Sequence, residues 1–223
     1  MSRTVKLAGG RVVDPVHGVS GVQADVVIRD GHLVALAPGE PVDETIDCSG
    51  CVVMAGGIDL HSHIGGGKVN LARLLLPELQ RDGPNPLLQD PAALFDNCAH
   101  VTPGTLATGY RYVQMGYTAA FEPAMVPANA RHAHMEMGDT PILDHGAYVM
   151  LGNDELFLKL MAEGAPFEVI RDYMGWTIHA SKALGVKVVN PAGISAFKFN
   201  QRKLDVDEEH VRWHVTPRQI VHT

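Results

Sequence analysis

The segment Asp59-Leu60-His61-Ser62-His63 concentrates groups that could hold a metal ion. Imidazole nitrogen is a common ligand of zinc and similar divalent ions. Side chains two apart in a strand point the same way, so both rings are expected to reach one ion just past the strand's C-terminal end. Gly56-Gly57 before the motif and Gly65-Gly66-Gly67 after it permit close backbone approach and tight turning there. The bland alternative is a pair of polar loop histidines. The flanking glycines and the apolar strand leading into the motif favour the metal.

Other residues weigh less. His132-Ala133-His134 repeats the spacing, but within a predicted helix, where positions i and i+2 face different ways and a shared ion is not expected. His145 is expected to be a hydrogen-bonded core histidine in a strand. Lys68 and Asn70 follow the metal loop and are candidates for touching an acidic substrate tail, with an ion pair to a loop carboxylate as the alternative. Tyr110, Tyr112 and Met115, at helical spacing, read as packing. Cys48-Ser-Gly-Cys51 has redox-motif spacing, yet Val52-Val53-Met54 follows as strand rather than as a helix N-terminus that would lower a thiol pKa. A turn between strands is the expectation, and with Cys98 the cysteine count is odd and builds no disulfide framework.

The elements that must position these groups fall into two stretches. Residues 1–57 read as a small β domain. Thr4–Leu7 and Arg11–Val13 are β-favouring runs broken by Gly9-Gly10. Ala24–Ile28 and His32–Leu36 flank Asp30-Gly31, a two-residue hairpin signal, and Cys51–Met54 is a further strand. Residues 58–223 alternate strand and helix. Strands are expected at Ile58–Leu60, Thr118–Phe121, Ile142–Val149 and Val186–Val189. Helices are expected from Thr102-Pro103 to Gly116, over Pro127–Met137, over Asp154–Glu163 and over Phe167–Leu184. Four strand-helix units in order make a parallel α/β fold. A loop after His63, with Pro77, Pro84, Pro86 and Pro91, is too long for a simple connector.

The whole composition, 223 residues with 46% hydrophobic, 19% charged and a formal charge of −7, is that of a globular chain. An acidic balance without a Lys/Arg block argues against nucleic acid or an anionic membrane as the main partner. No apolar run approaches the roughly 20 residues that span a bilayer, and the first residues lack an apolar signal core, so a cytoplasmic location is expected.

Met54-Ala55-Gly56-Gly57-Ile58-Asp59-Leu60-His61-Ser62-His63 resembles the first-strand signature of the amidohydrolase superfamily, metal-dependent hydrolases on a TIM-like barrel. A closer resemblance, to the A subunits of formylmethanofuran dehydrogenases and of bacterial formyltransferase/hydrolase complexes, rests on His61–Asn70, Thr108–Thr118, Ala130–His134, Asp139–Tyr148 and Gly185–Gly193. It runs over nearly the whole chain. It implies an α/β chain holding about the first four units of a (β/α)8 barrel, preceded by the N-terminal part of a composite β-sandwich domain. It implies two zinc ions held in part by His61 and His63 and bridged by a carboxylated lysine at Lys187. The residues alone leave Lys182 an equal candidate for the bridge. The implied chemistry is hydrolysis, or formation, of N-formylmethanofuran, with methanofuran as the carrier and the other subunits of the complex as partners. Another amidohydrolase acting on a cyclic amide, and a non-catalytic piece that serves assembly, are the alternatives.

A full barrel takes roughly 200–250 residues, more than follow the β domain. The further histidines on strands five and six and the proton-shuttling aspartate on strand eight have no place here; His210, His214 and His222 precede any fifth strand. Thr216-Pro217 starts a helix seven residues before the last one. The chain is therefore expected to be the N-terminal part of a longer protein, inactive and poorly soluble alone, with no catalytic aspartate of its own.

Overall fold

The computed structural model describes residues 2–75, 105–201 and 205–223, without the side chains of Lys68, Ala72, Arg73, Leu74, Leu106 and Ala107. The proline-rich loop, the Thr102-Pro103 helix start, Cys98 and the Lys68 side chain lie outside the described residues. The chain divides into two compact units, Met1–Gly56 and Gly57–Thr223.

In the first unit β1 (Thr4–Asp14) pairs antiparallel with β2 (Val19–Arg29), which pairs with β3 (His32–Leu33). The other edge of β1 takes β4 (Glu44–Asp47) and then β5 (Val52–Met54), both parallel to it. The two expected runs at the start are one strand. A register shift between Leu7 and Gly10 absorbs the glycines as a bulge, with Gly9 at φ +70°, so the ladder continues through them. Asp30 and Gly31 sit at φ +50° and +79°, the double left-handed pair that a tight hairpin needs. Cys51 N–H donates to Cys48 C=O at 2.9 Å, which makes the cysteine pair a turn between β4 and β5.

The second unit carries a parallel sheet of β6 (Gly57–Asp59), β7 (Tyr117–Met125), β8 (Asp144–Met150) and β9 (Gly185–Lys187), in that order. Helices α1 (Gly67–Leu75), α2 (Thr105–Gln114), α3 (Ala130–Gly138), α4 (Glu155–Ala162) and α5 (Phe167–Ser181) follow or separate the strands, and α6 (Gly193–Lys198) and α7 (Pro217–His222) come after β9. Ala120, Ala147 and Val149 on one sheet face bury against Ala133 and Met137 of α3, with Tyr112 of α2 and Tyr173, Met174 and Ile178 of α5 around them. The alternate residues Phe121 and Tyr148 meet on the other face, ring centres 6.3 Å apart. Val186 joins the helix-side core opposite Val149, so Lys187, opposite Met150, belongs to the Phe121–Tyr148 face.

Phe157 and Leu158 of α4, Ile170 of α5, Trp213, Val215 and Ile220 of α7 form a second core. The helix after Thr216 forms as expected, and Thr216 and Gln219 exchange both bonds of a capping box. His145 departs from expectation. It is exposed, its Nδ1 lying 3.2 Å from Leu143 C=O, because it occupies the second residue of β8, where the helix layer no longer covers the sheet.

Candidate metal centre

β6 ends at Asp59, and His61 and His63 follow in the bend beyond it, at the C-terminal end of the parallel sheet. In such sheets this end gathers the functional loops. Strand alternation therefore does not aim the two rings; hydrogen bonds do. Asp59 Oδ1 accepts the His61 N–H at 3.0 Å, and Phe121 C=O accepts the Ser62 N–H at 3.0 Å. Tyr112 O–H donates to Asp59 Oδ2 at 3.1 Å and also meets Ser62 Oγ. Burial first, and then the Asp59 carboxylate, push the Tyr112 hydroxyl above its ordinary range, while Ser62 pulls it back. It therefore stays a protonated donor. Tyr112, expected as packing alone, is a brace of the histidine loop.

The rings of His61 and His63 are nearly perpendicular at 88°, centres 5.4 Å apart. Nδ1 of His61 lies 3.1 Å from Nζ of Lys187 across 126 residues of sequence. β6 and β9 are three strand spacings apart, about 14 Å along the sheet, and the sheet's curl together with the long lysine stem closes that gap. Lys182 sits elsewhere, capping the C-terminus of α5 before β9 begins, at φ +55°. His63 Nδ1 lies 3.0 Å from Oε1 of Glu122, a β7 carboxylate whose side chain is only 1% exposed. Glu122 also accepts N–H groups of Ile64 (3.0 Å), Gly65 (3.4 Å) and Ala124 (2.8 Å).

The other candidates are placed apart from this cluster. Asn70, on α1, donates to Glu136 of α3, whose carboxylate also accepts Gly66 N–H at 2.5 Å. Glu136 pairs with His132 at 2.7 Å, whereas His134 Nε2 lies 2.9 Å from Ser181 C=O, so the second His-x-His is split between two directions. Beside the His61-Ser62-His63 motif a cavity of about 350 Å³ is lined by His61, His63, Arg111, Tyr112 and Met115 among others. Sequence spacing did not single out Glu122. The available signal was a carboxylate inside an otherwise apolar strand, which burial makes costly unless donors surround it.

The residues present suit zinc in their chemistry. Two imidazoles and a lysine stand together, and a carboxylated lysine would add anionic oxygen donors. Among the described residues no group of three or more His, Cys, Asp and Glu side chains is close enough together to hold a metal ion.

Residues 44–214 match the amidohydrolase family. The A component of the formyltransferase/hydrolase complex Fhc of Methylorubrum extorquens is 43% identical over 216 residues, 97% of this chain and 38% of that protein. Protein FwdA of Methanocaldococcus jannaschii is 36% identical over 215 residues, 96% of this chain and 37% of that one. In the crystal structure of the FhcABCD complex from Methylorubrum extorquens with methylofuran, a chain 42% identical superposes with a TM-score of 0.85, covering 98% of this chain and 38% of its own length. The chain thus spans under two-fifths of these relatives, and the resemblance expected from its motifs is borne out. A parallel half-barrel with a histidine motif at its C-terminal end, matched to the family over most of its length, places this chain in the amidohydrolase family.

Proposed function

We propose that this chain supplies part of a zinc-dependent hydrolase that cleaves, or forms, N-formylmethanofuran within a multi-subunit one-carbon complex. The observation that carries the proposal is the meeting of Lys187 Nζ with His61 Nδ1 at 3.1 Å, beside His63. The likeness to the Fhc protein, in a complex whose structure holds methylofuran, supports the substrate class and the partner subunits. A cytoplasmic location belongs to the same proposal. No helix among the described residues is long and apolar enough to cross a membrane.

In this proposal His61, His63 and a carboxylated Lys187 are the residues of this chain that would hold zinc. Zinc, when bound, polarises the formamide carbonyl and activates water. The chain's own residues do the positioning. Asp59 and Tyr112 hold the loop that carries His61, and Phe121 C=O ties Ser62 to β7. An ammonium at Lys187 would repel a cation; loss of its proton and addition of CO2 to the neutral amine, with release of a second proton, would give a carbamate that removes that charge and adds oxygen donors. No residue of this chain is assigned the proton transfer to the leaving amine.

The test is replacement of His61 or His63 by alanine in the protein carrying this sequence. Loss of bound zinc together with loss of formamide hydrolysis is expected. Hydrolysis unchanged in either variant would overturn the assignment.

A further inference from the structure

Glu122 has no counterpart in the motif that drew attention to this end of the sheet, yet it is the carboxylate packed most deeply against it. Its side chain is 1% exposed, and four nitrogen groups converge on its two oxygens. Oε2 accepts Ile64 N–H and Gly65 N–H; Oε1 accepts Ala124 N–H and faces His63 Nδ1. Three of the four are backbone amides, which can only donate. A buried carboxylate in such a cradle gains most when the fourth nitrogen donates as well.

We infer that Glu122 is a positioning residue: it holds the proton of the neutral His63 ring on Nδ1 and so keeps the lone pair on Nε2, the nitrogen left to face a metal. The inference rests on the metal-centre proposal for its purpose, but the geometry stands independently of it. A neutral imidazole has one donor and one acceptor nitrogen, and the partner of one decides the role of the other. Free histidine residues carry no such instruction. By binding the amides of Ile64 and Gly65 with the same carboxylate, Glu122 also fixes the backbone that follows the ring, so ring orientation and proton position are set by one group. His61 has a different neighbour, Lys187, so the two rings of the motif are instructed separately.

The experiment uses the protein carrying this sequence, with ¹⁵N-labelled histidine, without metal, at neutral pH. Long-range ¹H–¹⁵N correlation spectra report which ring nitrogen carries the proton, and His63→Gln assigns the His63 signals. The Nδ1–H form is expected for His63. A dominant Nε2–H form, a ring protonated on both nitrogens, or a freely exchanging mixture overturns the inference. In Glu122→Gln the Nδ1–H signature is expected to disappear, and Zn²⁺ affinity, measured by competition with a chromophoric chelator, is expected to fall about 10- to 100-fold. Unchanged Zn²⁺ affinity in a folded Glu122→Gln chain that has lost the signature also overturns it. If that variant fails to fold, the unaltered chain's spectrum alone decides. If the unaltered chain shows the Nδ1–H form and yet takes up no Zn²⁺, the metal-centre proposal falls while the positioning of His63 by Glu122 stands.

Discussion

At the scale of single residues, the candidate site divides into what type and spacing reveal and what only folding reveals. His61 and His63 stand two apart at the end of an apolar strand, and that pattern is visible in the chain. Lys187 is visible only through its resemblance to a family motif, since the residues alone leave Lys182 an equal candidate, and Lys182 ends on a helix C-terminus instead. Asp59, Tyr112 and Glu122 are invisible as partners, because their contacts join residues about 50 to 60 positions apart. Nothing in local periodicity encodes such a pairing. The lysine has its own test. In the protein carrying this sequence, ¹³C-bicarbonate is expected to give a carbamate carbon resonance that Lys187→Ala abolishes and Lys182→Ala leaves in place. A resonance that survives Lys187→Ala would remove this residue from the bridge.

At the scale of elements, strands with a clear apolar run were legible and glycine-rich segments were not. α1 begins at Gly67 after two further glycines, and α6 begins at Gly193, so low helix propensity hid both until packing supplied the stabilisation. Gly109 within α2 shows the opposite use of glycine. A Cβ there would lie 2.3 Å from Pro141 C=O, so Gly109→Ala is expected to destabilise the chain by about 1–3 kcal/mol through overpacking, read from thermal unfolding. The segment around α7 carries a pH response. His210 is fully buried, and its Nδ1 accepts the N–H groups of Arg212 (3.0 Å) and Trp213 (3.2 Å). Burial above all, with the nearby Arg212 and His214, holds its pKa below the ordinary 6.5, against an opposing contact with the Ser195 backbone. A histidine with a lowered folded pKa contributes stability that is complete above 6.5 and is lost as pH falls through the folded value. Trp213 is buried beside it and Trp176 is exposed, so acidification is expected to red-shift the emission of Trp213, and His210→Gln is expected to flatten that transition. A pH-independent spectrum over the same range would contradict this.

At the scale of the whole molecule, the second unit is a sheet with helices on one face and open apolar side chains on the other. Ile58 is 61% exposed and Leu60 is 60% exposed, next to the strand edge at β6, which is unpaired among the described residues. Apolar surface of this kind beside an unpaired edge favours association. The isolated 223-residue chain is therefore expected to bind a hydrophobic dye and to sediment as a concentration-dependent mixture, with Ile58→Lys shifting it toward monomer. A sharp monomer boundary with no dye binding would refute this. The 126 residues between His61 and Lys187 also set a clock. With ribosomes adding about 5–20 residues per second, the histidine loop waits about 6–25 seconds for its lysine to be made. If the proposed metal centre forms, an ion captured before then would meet the histidines without the lysine, so the order of synthesis would give the histidines first access and the lysine the last word on whether the ion stays.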